Sequence, residues 1–407
     1  MEMEQVLRRE YLETLADLRD KNLIKVVTGA RRVGKSTLLA QYREALKTET
    51  PDAPVLSINF DEPEYRFLAE NGWKDVYDFV MRAIRTEKMN YVFLDEIQNI
   101  PQFQKLLEGL FVHPKVDLYV TGSNACLLSG ELATLLTGRQ FEIHVLPFSF
   151  AEYLEFAGGK ENTDRAFGNY LRTGGFPEAV KLAKVNESYS FRYLQTVYRN
   201  IYENDIKTRY KVHSDISYQE VVNFLMDGIG SPASPGNIAK VLTNSGKKVD
   251  NKSVAKYIST LIDSYMFYRA TRYDIKGKQH LATQEKYYIV DTGFRTALLG
   301  KELSADSGHM LENIVFLELL RRKNQVWIGK IGNREVDFVA RDSGGRTRYI
   351  QVSQSVKSPE TLARELAPFD KIPDHNEKIL ITADHENGSR NGVRQINIVD
   401  WILGKES

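Results

Sequence analysis

Residues 29–37, Gly29-Ala30-Arg31-Arg32-Val33-Gly34-Lys35-Ser36-Thr37, set two glycines ahead of a cation and two hydroxyls. Small residues at Gly29 and Gly34 let a loop wrap closely around an anion with its backbone N–H groups turned inward. Lys35 supplies a point charge beside that anion, and Ser36 offers a hydroxyl that can ligate a hard divalent cation. The spacing G-x-x-x-x-G-K-S is that of a loop cradling a polyphosphate, and it requires a strand before it and a helix after it. Both are legible. Leu23 to Val27 is an apolar, β-branched run, and Lys35-Ser36 opens a helical pattern through Leu38 and Leu39. The plain alternative, a chance glycine turn between strand and helix, does not account for the full pattern.

A second constellation lies about sixty residues further on, where Tyr91-Val92-Phe93-Leu94 runs directly into Asp95-Glu96. An apolar strand ending in two acids is the expected partner of a phosphate cradle. Asp95 is assigned to Mg²⁺, held through water, and Glu96 to polarising the attacking water. Leu118 to Thr121 reads as another buried strand, closing with Gly122-Ser123-Asn124. A polar side chain there orients water or senses hydrolysis, or else belongs to a turn with helix-capping chemistry. Gly138-Arg139 precedes a fifth strand, Phe141 to Leu146. Arg139 either stabilises transition-state charge, from a neighbouring subunit or as a reporter of nucleotide state, or is a solvated loop arginine. The expected site is therefore Gly29 to Thr37 around ATP, Ser36 and Asp95 on Mg²⁺, and Lys35, Glu96, Asn124 and Arg139 as the catalytic set.

Positioning these groups takes five apolar strands alternating with helices, an α/β arrangement with a parallel sheet covered on both faces and its ligand at the C-terminal strand ends. Residues 1–157 form this core. Residues 158–230 turn helical, punctuated by Gly174-Gly175-Phe176-Pro177, and read as a lid; Gly228 to Gly236 reads as a linker. Residues 231–300 give helix, turn, helix and a hairpin tipped by Lys276-Gly277-Lys278, the order of a winged helix. Residues 301–407 carry a helix with Glu312 and a small sheet containing Asp337. At 407 residues the chain exceeds one ordinary core. Its 42% hydrophobic and 27% charged content describes a soluble globular protein, and one cysteine, Cys126, excludes an internal disulfide or a zinc cluster. With no secretory or membrane-spanning run, the cytoplasm is the expected location.

The net charge of +1 hides an uneven distribution: residues 231–300 hold eleven Lys/Arg against five Asp/Glu, whereas residues 1–150 hold eighteen against twenty-two. That places positive charge where a DNA reader needs it, with Lys252 and Lys256 on the recognition helix and Lys276 and Lys278 in the wing. The competing reading is a protein-interaction module with a solvated basic surface. Double-stranded DNA or a protein, bound through residues 231–300 and 301–407, and a second copy of the chain are the expected partners.

The first 150 residues resemble the AAA+-like P-loop ATPases, with Gly29 to Ser36, Asp95-Glu96 and Gly122-Ser123-Asn124 in matching order. Together with Pro147-Phe148-Ser149-Phe150 and Glu335-Val336-Asp337-Phe338, the whole chain looks like bacterial and archaeal ATPases that append a domain of unknown function. The last region is similar to restriction-endonuclease-like folds, in which a helix glutamate, a strand aspartate and a Glu-x-Lys hold a metal. Glu312 and Asp337 match the first two, but Gln351 and Ser353 stand where the carboxylate and lysine belong. The resemblance thus implies a nuclease-shaped domain kept for binding. Three functions follow: an Mg²⁺-dependent ATPase coupling nucleotide state to DNA or partner binding; an ATP-gated switch without turnover; and, least favoured, an ATP-regulated nuclease.

Overall fold

A computed structural model describes residues 6–123, 138–158, 162–210, 212, 214–300 and 307–405. The chain divides into two compact units, residues 1–145 with Asp263–Tyr265, and the remainder.

The first unit is a three-layer α/β fold. Helix α1 (Arg9–Asp17) precedes β1 (Ile24–Thr28), α2 (Lys35–Glu49), β2 (Val55–Asn59), α3 (Pro63–Glu70), α4 (Trp73–Ala83), β3 (Asn90–Asp95), α5 (Phe103–Phe111), β4 (Val116–Thr121) and β5 (Gln140–His144). The five strands are all parallel, in the order β2-β3-β4-β1-β5. Every residue of β1 is buried, as a central strand covered on both faces requires. Val76 and Val80 of α4 and Leu106, Leu107 and Leu110 of α5 pack on Val26, Ile58, Val92, Leu94 and Val120 of the sheet. Each such side chain contributes on the order of 1.5–3 kcal/mol by leaving water. A parallel sheet brings all its C-terminal strand ends to one edge, so Thr28, Asp95, Thr121 and His144 end there together.

The second unit starts with helices Phe150–Ala157, Thr163–Thr173, Pro177–Val185, Glu187–Asn200 and Asp215–Asp227. The first is closed by a full capping box between Ser149 and Glu152. The glycines of residues 174–175 have a definite job: Gly174 sits at φ +76, where an added Cβ would fall 1.7 Å from Asp291 Oδ1. The buried Asp291 carboxylate accepts the Gly175 and Gly293 N–H groups at 2.6 and 2.9 Å.

The segment expected as a linker is instead part of a sheet. Residues Pro232–Ala233 form a short strand, β6, on β8 (Gln279–Ile289), and Ile229 is buried. A two-residue edge strand can hold Pro because its missing N–H faces away from the ladder. Helices Pro235–Asn244 and Asn251–Asp263 lead to β7 (Phe267–Asp274), which forms the hairpin with β8. That hairpin does not end a separate sheet. β7 pairs in parallel with β9 (Gln325–Ile331), followed by β10 (Arg334–Arg341), β11 (Thr347–Ser353), β12 (Glu377–Thr382), β13 (Gly388–Arg390) and β14 (Val393–Asn397). One nine-stranded sheet results, ordered β13-β14-β12-β11-β10-β9-β7-β8-β6. Residues 231–300 and 301–407 therefore share a sheet. Among the described residues no helix is long and apolar enough to cross a membrane.

Candidate active site

Gly29 leaves β1 at φ +138, and a Cβ there would lie 2.3 Å from the Val145 carbonyl oxygen, so only glycine fits. Arg32 and Gly34 also take positive φ, at 74° and 99°, which curls residues 29–34 into a loop. Gly34 is the N-cap of α2 and offers no side-chain cap. The first-turn N–H groups of a 15-residue helix are thereby kept for something else, and an anion is what a helix N-terminus favours. Lys35 is 4% exposed and its Nζ donates to the Gly29 and Ala30 carbonyl oxygens at 3.0 and 3.1 Å. The ammonium is thus folded over the loop from inside. Val33 is fully buried and anchors the loop, while Ser36 and Thr37 are exposed.

The acids meet this loop. Asp95, at the end of β3, interacts with the Ser36 hydroxyl and feels the charge of Lys35; burial lifts its carboxyl above the ordinary range, against the pull of Thr121 and Ser36. Thr121, at the end of the neighbouring β4, ties both acids: its hydroxyl donates to Asp95 Oδ1 and accepts the Glu96 N–H at 2.9 Å. Glu96 takes a left-handed backbone (φ 55), an uncommon state for such a residue that turns its side chain off the strand line. Its Oε2 accepts from Gln98 Nε2 and from the buried Ser123 Oγ, the latter at 3.2 Å. Oε1 accepts no hydrogen bond among the described residues. The donor set of cradle, lysine, hydroxyl and paired acids fits a nucleoside triphosphate with Mg²⁺.

Two expected members fare differently. Asn124 lies outside the described residues. Arg139 precedes β5, and its carbonyl oxygen accepts the N–H of Ile24 at 2.8 Å, at the start of β1. Strands of a parallel sheet run together, so Arg139 sits a five-residue strand, about 16 Å, from the loop edge. Its guanidinium lies over the Phe111 ring. The reading of Arg139 as a reporter on this chain's own nucleotide is therefore corrected: it sits at the far end of β5 from the loop.

A model of the AAA domain family matches residues 21–154, and a model of a domain of unknown function matches residues 164–305. Across 98% of both chains, 37% of residues are identical to an uncharacterized protein of Haemophilus influenzae. This chain belongs to the family of that protein. An uncharacterized protein of Methanocaldococcus jannaschii is 27% identical over 89% of this chain and 83% of its own. The solved Walker-type ATPase of Pyrococcus abyssi is similar over 73% of this chain and 96% of that one, at 16% identity and a TM-score of 0.49. The first unit carries an AAA-type P-loop domain.

The first unit also holds a cluster that no motif announces. Thr28 Oγ1 donates to Glu142 Oε1 at 2.6 Å and lies 2.9 Å from His144 Nδ1. Tyr265 hydrogen-bonds Glu142, and its ring packs 4.7 Å from that of His144. The pairing of β1 with β5 brings Thr28, Glu142 and His144 together, and Tyr265 joins them from far along the chain. Burial, reinforced by Lys35, pushes the His144 imidazole down to about 4, so it is neutral at pH 7 and adds no charge beside Lys35. An unfolded chain takes up this proton near pH 6.5, the folded one near 4, so the contribution to stability is complete above 6.5 and is lost as pH falls toward 4. Wild type should lose about 1.5 kcal/mol more than His144→Asn between pH 6.5 and 5. Urea titrations of both proteins at those two pH values measure it, and parallel losses would remove this assignment.

Proposed function

We propose that the AAA domain binds ATP with Mg²⁺, hydrolyses it, and uses the nucleotide state to govern binding of double-stranded DNA by the second unit. The observation that carries the first part is the Asp95 carboxylate, which interacts with the Ser36 hydroxyl, beside a lysine-filled cradle. It puts a metal-ligating hydroxyl and carboxylate next to a phosphate loop. Lys35 binds the phosphates, and Gly29 to Thr37 enclose them with main-chain N–H groups. Ser36 and Asp95 would hold Mg²⁺, which supplies neutralisation of charge on the β- and γ-oxygens when bound. Glu96, held through Oε2, keeps Oε1 for a water and acts as general base; Ser123 and Gln98 fix its orientation.

Support for DNA binding is the order helix, β6, two helices, hairpin, with β6 on β8. Such a winged helix presents its second inner helix to a groove. Lys252 and Lys256, one turn apart on helix Asn251–Asp263, are exposed, as are Lys276 and Lys278 at the hairpin tip. Duplex affinity should then fall steeply with salt. Lys252→Ala with Lys256→Ala should flatten the log–log slope by about 2, at roughly 0.9 for each phosphate no longer neutralised. An unchanged slope would assign these lysines to solubility or to a protein partner. The experiment that tests the whole is steady-state phosphate release with and without duplex DNA. Turnover that DNA alters supports coupling; tight ATP binding without turnover in either condition favours the switch reading.

A further inference from the structure

The C-terminal resemblance implies a divalent metal between Glu312 and Asp337, and the residues present do not fit one. The place is taken. Lys286, on β8 and 3% exposed, reaches its Nζ to 2.9 Å from Glu312 Oε1, 2.8 Å from Glu335 Oε1 and 4.0 Å from Asp337 Oδ1. We propose that the Lys286 ammonium is the resident cation of this domain, filling the position where the three carboxylates would otherwise hold a divalent metal. This inference stands apart from the ATPase reading, since it concerns only the second unit.

The geometry supports it from several sides. The register of β10 against β9 slips between Val336 and Val339, a bulge that turns Asp337 inward. Each carboxylate has a further donor besides the lysine. Tyr288 OH donates to Glu312 Oε1 at 2.6 Å, Arg272 Nη2 to Glu335 Oε2 at 2.9 Å, and the Val352 N–H to Asp337 Oδ2 at 2.8 Å. Gln351, at the position of the lost carboxylate, turns its oxygen to the Asp337 N–H at 3.3 Å and its amide N–H to Glu365 at 2.9 Å. Its oxygen is thus spent on the backbone. Among the described residues no group of three or more His, Cys, Asp or Glu is arranged to hold a metal ion. The N···O distances of 2.8–2.9 Å are those of charge-assisted hydrogen bonds. Divalent cations need oxygens at about 2.0–2.6 Å and cannot share the space.

The charge balance explains why the amine stays. Burial works against a charged Lys286, and Glu312, Asp337 and Glu335 outweigh it, holding the ammonium above the ordinary lysine value. Burial, with Glu312 behind it, pushes the Asp337 carboxyl up. Removing the amine would leave three carboxylates facing one another in a cleft of about 1040 Å³ that Glu312, Glu335, Asp337 and Gln351 line. Uncompensated buried charge is strongly destabilising, and a divalent cation is the simplest replacement.

The test uses the full chain without nucleotide. Bound Mn²⁺ is counted by electron paramagnetic resonance, and melting is followed in EDTA and in millimolar Mn²⁺. Wild type and Asp337→Asn should retain equal Mn²⁺, because any held at Ser36 and Asp95 is common to both. Lys286→Ala should melt lower in EDTA, gain about 5 °C or more with Mn²⁺, and hold one more Mn²⁺ per chain than wild type. Adding Asp337→Asn should remove that gain. Lys286→Arg, which keeps a cation, should gain none. Mn²⁺ in wild type that depends on Asp337 overturns the proposal. So does a Lys286→Ala protein that gains no Mn²⁺ or folds in neither buffer.

Discussion

Lys35→Ala should weaken ATP binding by about 150- to 700-fold while leaving the first unit folded. Of the three cations in residues 29–37 the lysine is the buried one, and a charged donor shared between two phosphate oxygens is worth about 3–4 kcal/mol at roughly 1.4 kcal/mol per tenfold. Its present bonds, to the Gly29 and Ala30 carbonyl oxygens, are neutral substitutes that ATP would exchange for ionic ones. Alanine forfeits both sets, yet α2 keeps Leu38, Leu39, Tyr42 and Leu46 buried, so the helix remains docked. Titration with a fluorescent ATP analogue, beside circular dichroism of both proteins, separates the two effects. An affinity within threefold of wild type would mean that the loop does not use Lys35, and the nucleotide reading would fall with it.

How much of the site is legible in the sequence follows from how local each signal is. Gly29 to Ser36 is contiguous, and its strand and helix flank it in sequence, so loop, fold class and cation can be placed together. Asp95 is legible for the same reason, as the end of an apolar run. Thr121 is not, because its bond to Asp95 exists only through the adjacency of β3 and β4. The cluster of Thr28, Glu142, His144 and Tyr265 depends in the same way on β5 lying beside β1 and on a residue more than a hundred positions away. Arg139 misleads because proximity to a strand does not say which end of it faces the ligand. Charge counts mislead in a related way. Of the eleven cations in residues 231–300, Lys286 and Arg295 are buried, one neutralised by carboxylates and the other donating to the Met226 carbonyl oxygen, so neither reaches a phosphate. Strands β13 and β14 are not among the sequence expectations, although their turn, Asn391-Gly392 with φ of 51° and 75°, is the commonest signature of a two-residue hairpin.

Glu96→Gln should separate binding from turnover: ATP affinity within about threefold of wild type, and phosphate release slower by about 100-fold or more, the usual share of a general base. The substitution keeps shape, and an amide oxygen can still accept from Ser123 and Gln98, so the left-handed turn at residue 96 and its N–H bond to Thr121 have no reason to change. What goes is the basic oxygen. Asp95 is a control of a different kind. It accepts from Thr121 and interacts with Ser36, and Asp95→Asn should lose Mg²⁺ dependence and affinity together, whereas a base variant loses rate alone. Single-turnover hydrolysis of prebound ATP reads the chemical step without product release. If Glu96→Gln hydrolyses at the parental rate there, with Mg²⁺-dependent binding intact, the water is activated by another group. Among the described residues the side chains bonded to the Glu96 carboxylate are Ser123 and Gln98, both uncharged and neither a base, so the base would have to be a group other than these two.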